Sequence, residues 1–429
     1  MSANGRFPQA QQFEVAPNSE GNTVFLRTTW GVLVSRDAGK SWRWICERAL
    51  GYEGQWDPPI AATKDGRLWV GLEDGVVSTA DGCTVDRAPE MNGQTIRDFT
   101  TDPKGETLFA ITSKADTKPA VWRRSFGGKF EKVGEGPLDV NFMTIEVSAS
   151  KPQRLYVTGQ PFGTVRGWLF VSDDGGKTLR GDKNDLPTVG PFFIAAVDPK
   201  EPDRVLMRRL HTTGSDLVLT KNAGKSFDVV LSMKSGMLGF AKTPDGKTLW
   251  AGSGLAEHGL FRSTDRGDHF EPIASRGVLC LKWAGANEKS NDLFACQNPF
   301  TRGAPAFARF TDDGKTAAST ATFGDVAGPV ACPAGSDAGA AICAGSWRET
   351  IAGVTLGIDA GTVDDAGSPT TKTTPDPPPP TKRSCACDAA LGAGKGLDPW
   401  WLIAGFAALV MWRRARTLYG SKLTHSPES

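Results

Sequence analysis

Tyrosine and histidine are scarce in this chain, with three and four copies in 429 residues, so few side chains suit proton transfer near neutral pH. The histidines, His211, His258, His269 and His425, never fall at zinc spacing, and no motif marks a metal or a cofactor. Charge of one sign is lacking too: 49 Lys and Arg against 48 Asp and Glu leave a net +1. That balance offers no surplus to neutralise a phosphate backbone, which argues against nucleic acid as a partner. Three Gly-Lys-Ser/Thr triplets begin at Gly39, Gly176 and Gly224. A phosphate loop needs another glycine five residues earlier, where Val34, Val171 and Leu219 stand. The acidic pairs Asp173-Asp174 and Asp312-Asp313 lack the alternating oxygen ligands and closing Glu of a calcium loop. No helical period is sustained within residues 9–323. The N-terminal MSANGRFPQAQQFEV lacks a charged-then-apolar leader, so export would need either another route or, the favoured reading, a true start upstream of Met1.

Glycine (50), proline (28) and tryptophan (13) are plentiful, as expected of short strands, tight turns and packed apolar faces. The order within them is a repeat. Residues 35–42 read SRDAGKSW, and the pattern Ser/Thr-x-Asp-x-Gly-x-Ser/Thr-aromatic returns as SDDGGKTL at 172–179, TKNAGKSF at 220–227 and STDRGDHF at 263–270. Weaker copies begin at Ser78, Ser125 and Thr311, so starts are separated by 43, 47, 47, 48, 43 and 48 residues. A short apolar run precedes each copy, for example Leu68-Trp69-Val70 and Leu249-Trp250-Ala251, usually after an Asp-Pro or Asp-Gly turn. Each unit reads as strand A, polar turn, strand B, loop, strand C, repeated turn, strand D. Seven such units predict an all-β, seven-bladed propeller with four-stranded blades over residues 9–323, after a tail at 1–8.

In the repeated turn the third residue accepts bonds from its own backbone, and the glycine supplies a positive φ. The residues carrying the pattern are Ser35, Asp37, Gly39 and Trp42; Ser172, Asp174 and Gly176; Thr220, Asn222, Gly224 and Phe227; and Ser263, Asp265, Gly267 and Phe270. The pattern resembles the Asp-box, or bacterial neuraminidase repeat, of sialidases, xyloglucanases, vacuolar sorting receptors and photosystem II assembly propellers. The resemblance implies a propeller whose turns lie away from the ligand site; it does not imply an activity.

The turns join strands C and D, so the opposite rim carries the B–C and blade-to-blade loops. Those loops offer Tyr52, Trp56, Asp57, Phe162, Arg166, Arg209, His211, His258, Phe300 and Arg302 as ligand-binding candidates. A sialidase would need an arginine triad, a Tyr–Glu nucleophile and an acid. Tyr156 occupies a core slot of strand B, and Arg6-Phe7-Pro8 scrambles the signature that precedes the first box in that family. No catalytic residue is assigned. The expected function is a non-enzymatic binding or adhesion module for extracellular glycan or protein. The alternatives are a glycoside hydrolase of sialidase or xyloglucanase type and an assembly factor like the photosystem propellers.

Six cysteines suggest disulfides and an oxidising compartment: Cys46 with Cys83, Cys280 with Cys296, and Cys332 with Cys343. The last pair lies in a capping segment, 324–358, whose apolar part from Ala340 to Ile358 is expected to form a short helix. Residues 359–384 are a proline-rich spacer, and 385–416 combine Cys385 and Cys387, an apolar stretch at 399–412 and an arginine cluster, ahead of a polar tail at 417–429. That arrangement resembles the MYXO-CTERM sorting signal of myxobacterial surface proteins. The resemblance implies a sorting protease as partner, membrane engagement through 399–412, processing or lipidation at Cys385 or Cys387, and a propeller held at the cell surface.

Overall fold

The computed structural model describes residues 8–17, 19, 21–181, 185–284, 291–297, 305–333 and 338–356. Seven four-stranded antiparallel sheets follow one another along the chain, spanning 10–45, 60–87, 96–135, 140–189, 192–233, 237–274 and 280–321. Within each sheet the strands run in sequence order from A to D, and the seven form a propeller. Several middle strands are continuous apolar runs: Gly31–Ser35 (GVLVS) and Leu249–Ser253 (LWAGS) are buried throughout. A blade packs on a neighbour at either face, so both faces of its middle strands need apolar side chains. Strand D of the fifth blade, Asp228–Met233, is half open to solvent and accordingly mixed.

The core is a ring of interfaces between blades. Seven clusters of buried side chains each join two successive blades. At the seam between blades 7 and 1, Phe13 stacks on Phe294 at 5.2 Å and Trp42 meets Phe307 edge-on at 5.2 Å.

The repeated turns have nearly the same geometry in the four good copies. Ser35, Ser172, Thr220 and Ser263 donate their hydroxyls to residues 37, 174, 222 and 265 over 2.7, 2.8, 3.0 and 2.7 Å. The same hydroxyls accept the N–H of Gly39, Gly176, Gly224 and Gly267 at 2.8–2.9 Å. Asp37, Asp174, Asn222 and Asp265 accept the backbone N–H four residues on at 2.9–3.0 Å. The glycine has a second duty that the pattern does not reveal. A Cβ on Gly39 would lie 2.8 Å from Phe294 of blade 7, and one on Gly267 would lie 2.8 Å from Leu206 of blade 5. The turn therefore presses on the preceding blade as well as closing its own. The weak copy in blade 2 starts at Thr79 rather than Ser78, because Thr79 donates to Asp81 and accepts from Gly82.

Ring closure departs from expectation. Cys280 and Cys296 are bonded cross-strand partners in blade 7, as expected. The other two pairings are Cys46–Cys343 and Cys83–Cys332, which corrects Cys46–Cys83 and Cys332–Cys343. The reason is the path after blade 7. Residues 327–330 return along the outer edge of blade 1: Trp44 N–H donates to Gly328 at 2.9 Å, and Val330 N–H donates to Trp44 at 3.0 Å. This course brings Cys332 to the turn of blade 2 and Cys343 to the end of strand D of blade 1. The expected helix spans Ala338–Leu356 and sets Trp347 5.4 Å from Trp44. Every blade uses consecutive strands, so no strand crosses the seam; this returning segment reinforces it. Among the described residues no helix is long and apolar enough to cross a membrane. The spacer, Cys385, Cys387 and the 399–412 stretch lie outside the described residues.

Candidate functional site: the central channel and its open rim

The innermost strands surround a cavity of about 540 Å³. Six blades and the connection leading into blade 2 contribute, through Glu14, Asp57, Asp98, Glu146, Arg208, Phe240 and Lys282 among others. Strand A is the innermost strand of its blade, so its channel-facing side chains converge whatever their chemistry. Lys282 pairs with Glu14 at 2.8 Å, tying blade 7 to blade 1. Thr100 donates its hydroxyl to Glu146 at 2.8 Å, and Asp98 accepts the N–H of Ile145 at 2.9 Å, both joining blade 3 to blade 4. Burial pushes the Asp98 carboxyl up to about 8, and the Glu146 and Glu14 charges add to the rise, so it holds its proton at neutral pH. Strand-A carboxyls were missed in the sequence because no motif surrounds them. Their one signal is polarity inside short inner strands such as Ala10–Val15 (AQQFEV) and Ile96–Thr101 (IRDFTT).

The rim candidates scatter in environment. Tyr52 is a buried core residue between blades 1 and 2, and Trp56 is partly buried there with its indole N–H donated to Gly71 at 2.9 Å. Both were expected on an exposed loop; the 47–59 connection instead folds back on blade 2 and uses them for packing. Asp57 is exposed and lines the channel. Arg209 and His211 converge on Asp216, which pairs with Arg209, lies 3.6 Å from His211 and accepts the Ser232 hydroxyl at 2.6 Å. Burial would raise Asp216, yet Ser232 and Arg209 outweigh it and hold its carboxyl low. The signal for Asp216 is register: a tight hairpin sets it opposite Arg209. His258 stands apart, 3.9 Å from Glu257. Phe162 is exposed in a loop and Arg166 is exposed at the start of the strand that follows it, while Phe300 and Arg302 lie outside the described residues.

Exposed apolar side chains divide unevenly between the two rims. Among the described residues, Leu138, Phe162, Val165, Leu238 and Leu255 lie on the rim opposite the turns. The Phe162 N–H donates to Asp139 at 2.8 Å, which joins the Leu138 and Phe162 loops into one surface. Leu238 also lines the channel mouth. Away from that rim, Val229 is exposed at the start of strand D of blade 5, and on the turn rim Phe126 lies under the Lys64 ammonium at 4.1 Å. Neighbouring groups there are joined by ion pairs, such as Arg266–Asp198 at 2.7 Å and Arg154–Asp173 at 2.6 Å. Among the described residues no group of three or more His, Cys, Asp or Glu is placed to hold a metal ion.

No family model matches the sequence, and no curated protein matches it. Solved structures do resemble the fold. An ancestral GH74 enzyme aligns with a TM-score of 0.50 at 14% identity, over 71% of this chain and 46% of the enzyme. The chain thus spans under half of that enzyme's length. Kuenenia stuttgartiensis hydrazine synthase aligns at 0.49 and 12% identity, over 72% and 97% of the two chains. YCF48 from Cyanidioschyzon merolae aligns at 0.46 and 15%, over 67% and 93%. At such identities the likeness concerns the fold alone.

Proposed function

We propose that this chain is a non-enzymatic binding module, displayed outside the cytoplasm, that grips an extracellular protein or glycan with the rim opposite its repeated turns. The supporting observation is the gathering of Leu138, Phe162, Val165, Leu238 and Leu255 on that rim beside Arg166. Apolar groups collected on one face mark an association surface, whereas isolated ones are ordinary. Display outside the cytoplasm is supported by the three disulfides. Anchoring through 385–416 is part of the same proposal. The test is an array of glycans and extracellular proteins probed with wild type and with Leu138→Ala/Phe162→Ala. Loss of the selected ligand at unchanged melting temperature is expected; equal binding by both would sink the rim.

A second reading, hydrolysis of a glycoside, is favoured by one observation. Asp98 keeps its proton to about pH 8 beside Glu146 in the same channel, as a general acid beside a second carboxyl would. A panel of aryl glycosides decides it, since turnover by wild type that Asp98→Asn abolishes is required.

A further inference from the structure

Arg208 lies in strand B of blade 5, Val205–His211, and its side chain reaches the wall of the central channel. Its guanidinium covers the Phe193 ring at 4.8 Å, and one Nη1 proton goes to the Met237 carbonyl at 2.7 Å. Among the described residues it pairs with no carboxylate. Several other strand-borne arginines differ: Arg209 faces Asp216, Arg262 faces Glu271 and Asp313, and Arg309 faces Asp292. Desolvation alone acts on Arg208, drawing it down to about 10. A desolvated cation without a counter-ion is costly, and an anion entering the channel would relieve that cost. The cavity, about 540 Å³, suits a small molecule. Phe193, Met143, Leu238 and Phe240 make part of its wall apolar, which calls for an organic body behind the charge.

We propose that Arg208 anchors a site for a small organic carboxylate, its charge on the free guanidinium edge and its apolar body along Phe193 and Leu238. The site lies inside the channel and does not depend on the outer rim binding a macromolecule. Titration of the full, disulfide-bonded chain with benzoate, with its neutral isostere benzamide and with sodium sulfate tests it. Benzoate should bind saturably and raise the melting temperature; benzamide and sulfate should bind roughly tenfold more weakly or not at all. Arg208→Met should abolish the benzoate effect and melt, without ligand, no lower than wild type, because an unpaired buried charge has been removed. Arg208→Lys, which keeps the charge but loses the planar fork, should bind benzoate more weakly than wild type. Benzamide matching benzoate, sulfate matching benzoate, or undiminished benzoate binding by either variant would each overturn the proposal. If Arg208→Met melts well below wild type, the guanidinium serves as a strut between blades 5 and 6, and the proposal also fails. Phe162→Ala leaves benzoate binding unchanged, so this site and the rim fail separately.

Discussion

Asp98 and Asp174 are the same residue type in neighbouring blades, yet burial pushes the first up to about 8 while hydrogen bonds, led by the Thr178 N–H, hold the second at about 2. Asp265 follows Asp174: its bonds from His269 and Ser263 outweigh burial and hold it at about 2. The turn carboxylates sit in a local cage of donors from residues at most four positions away. Asp98 receives the Ile145 N–H from another blade but faces Glu146 and Glu14 across a narrow channel. One rim of the propeller is therefore stabilised by charge, whereas the channel disfavours charge at Asp98. Structural and functional demands are separated along the axis.

The sharpest test of this contrast is stability against pH, because the two kinds of carboxyl act with opposite sign. Asp98 has a folded pKa above its unfolded value of about 3.9, so its contribution is full below about pH 4 and is lost as pH rises through 8. Urea unfolding of Asp98→Asn should lack that decline and exceed wild type at pH 8, by up to several kcal/mol. A variant no more stable at pH 8 would mean the channel charge is relieved by something else. The seam comes next. Replacing Cys46 and Cys343 by Ala opens a closure of separation 297 and should cost about 2–4 kcal/mol, read as a lower urea midpoint than wild type under non-reducing conditions. A midpoint that does not move would show that the apolar contacts of blades 7 and 1 suffice. Asp174→Ala should cost less, on the order of 1–2 kcal/mol at pH 7. The loss should fade as pH falls from about 4 towards 2, since a depressed folded pKa gives stability only above that window. The smallest effect belongs to Phe162→Ala, an exposed loop position, where a stability change within about 0.5 kcal/mol is expected by thermal melting.

Much of the architecture was legible because its causes are local. A hydroxyl, a carboxylate or amide oxygen and a glycine within five residues close the turn by themselves, so four sequence copies predicted four matching turns. In blade 2 the copy was read one residue early, since Ser78 and Thr79 are adjacent and only the hydrogen bonds show which one closes the turn. The site was less legible. Tyr52 and Trp56 looked like ligand contacts because an aromatic in a long loop has the same sequence signature whether it faces water or folds onto a blade. Arg209 and His211 were found individually, while Asp216 came to light only with the hairpin register.

The chain's sequence by itself determined the number of blades, their strand order and the chemistry of each turn, because those depend on residues a few positions apart. Tertiary structure alone decided which cysteines meet, at separations of 297 and 249, and which charges share the channel. Both follow from closing the ring, which brings together residues whose spacing in the chain carries no trace of the encounter.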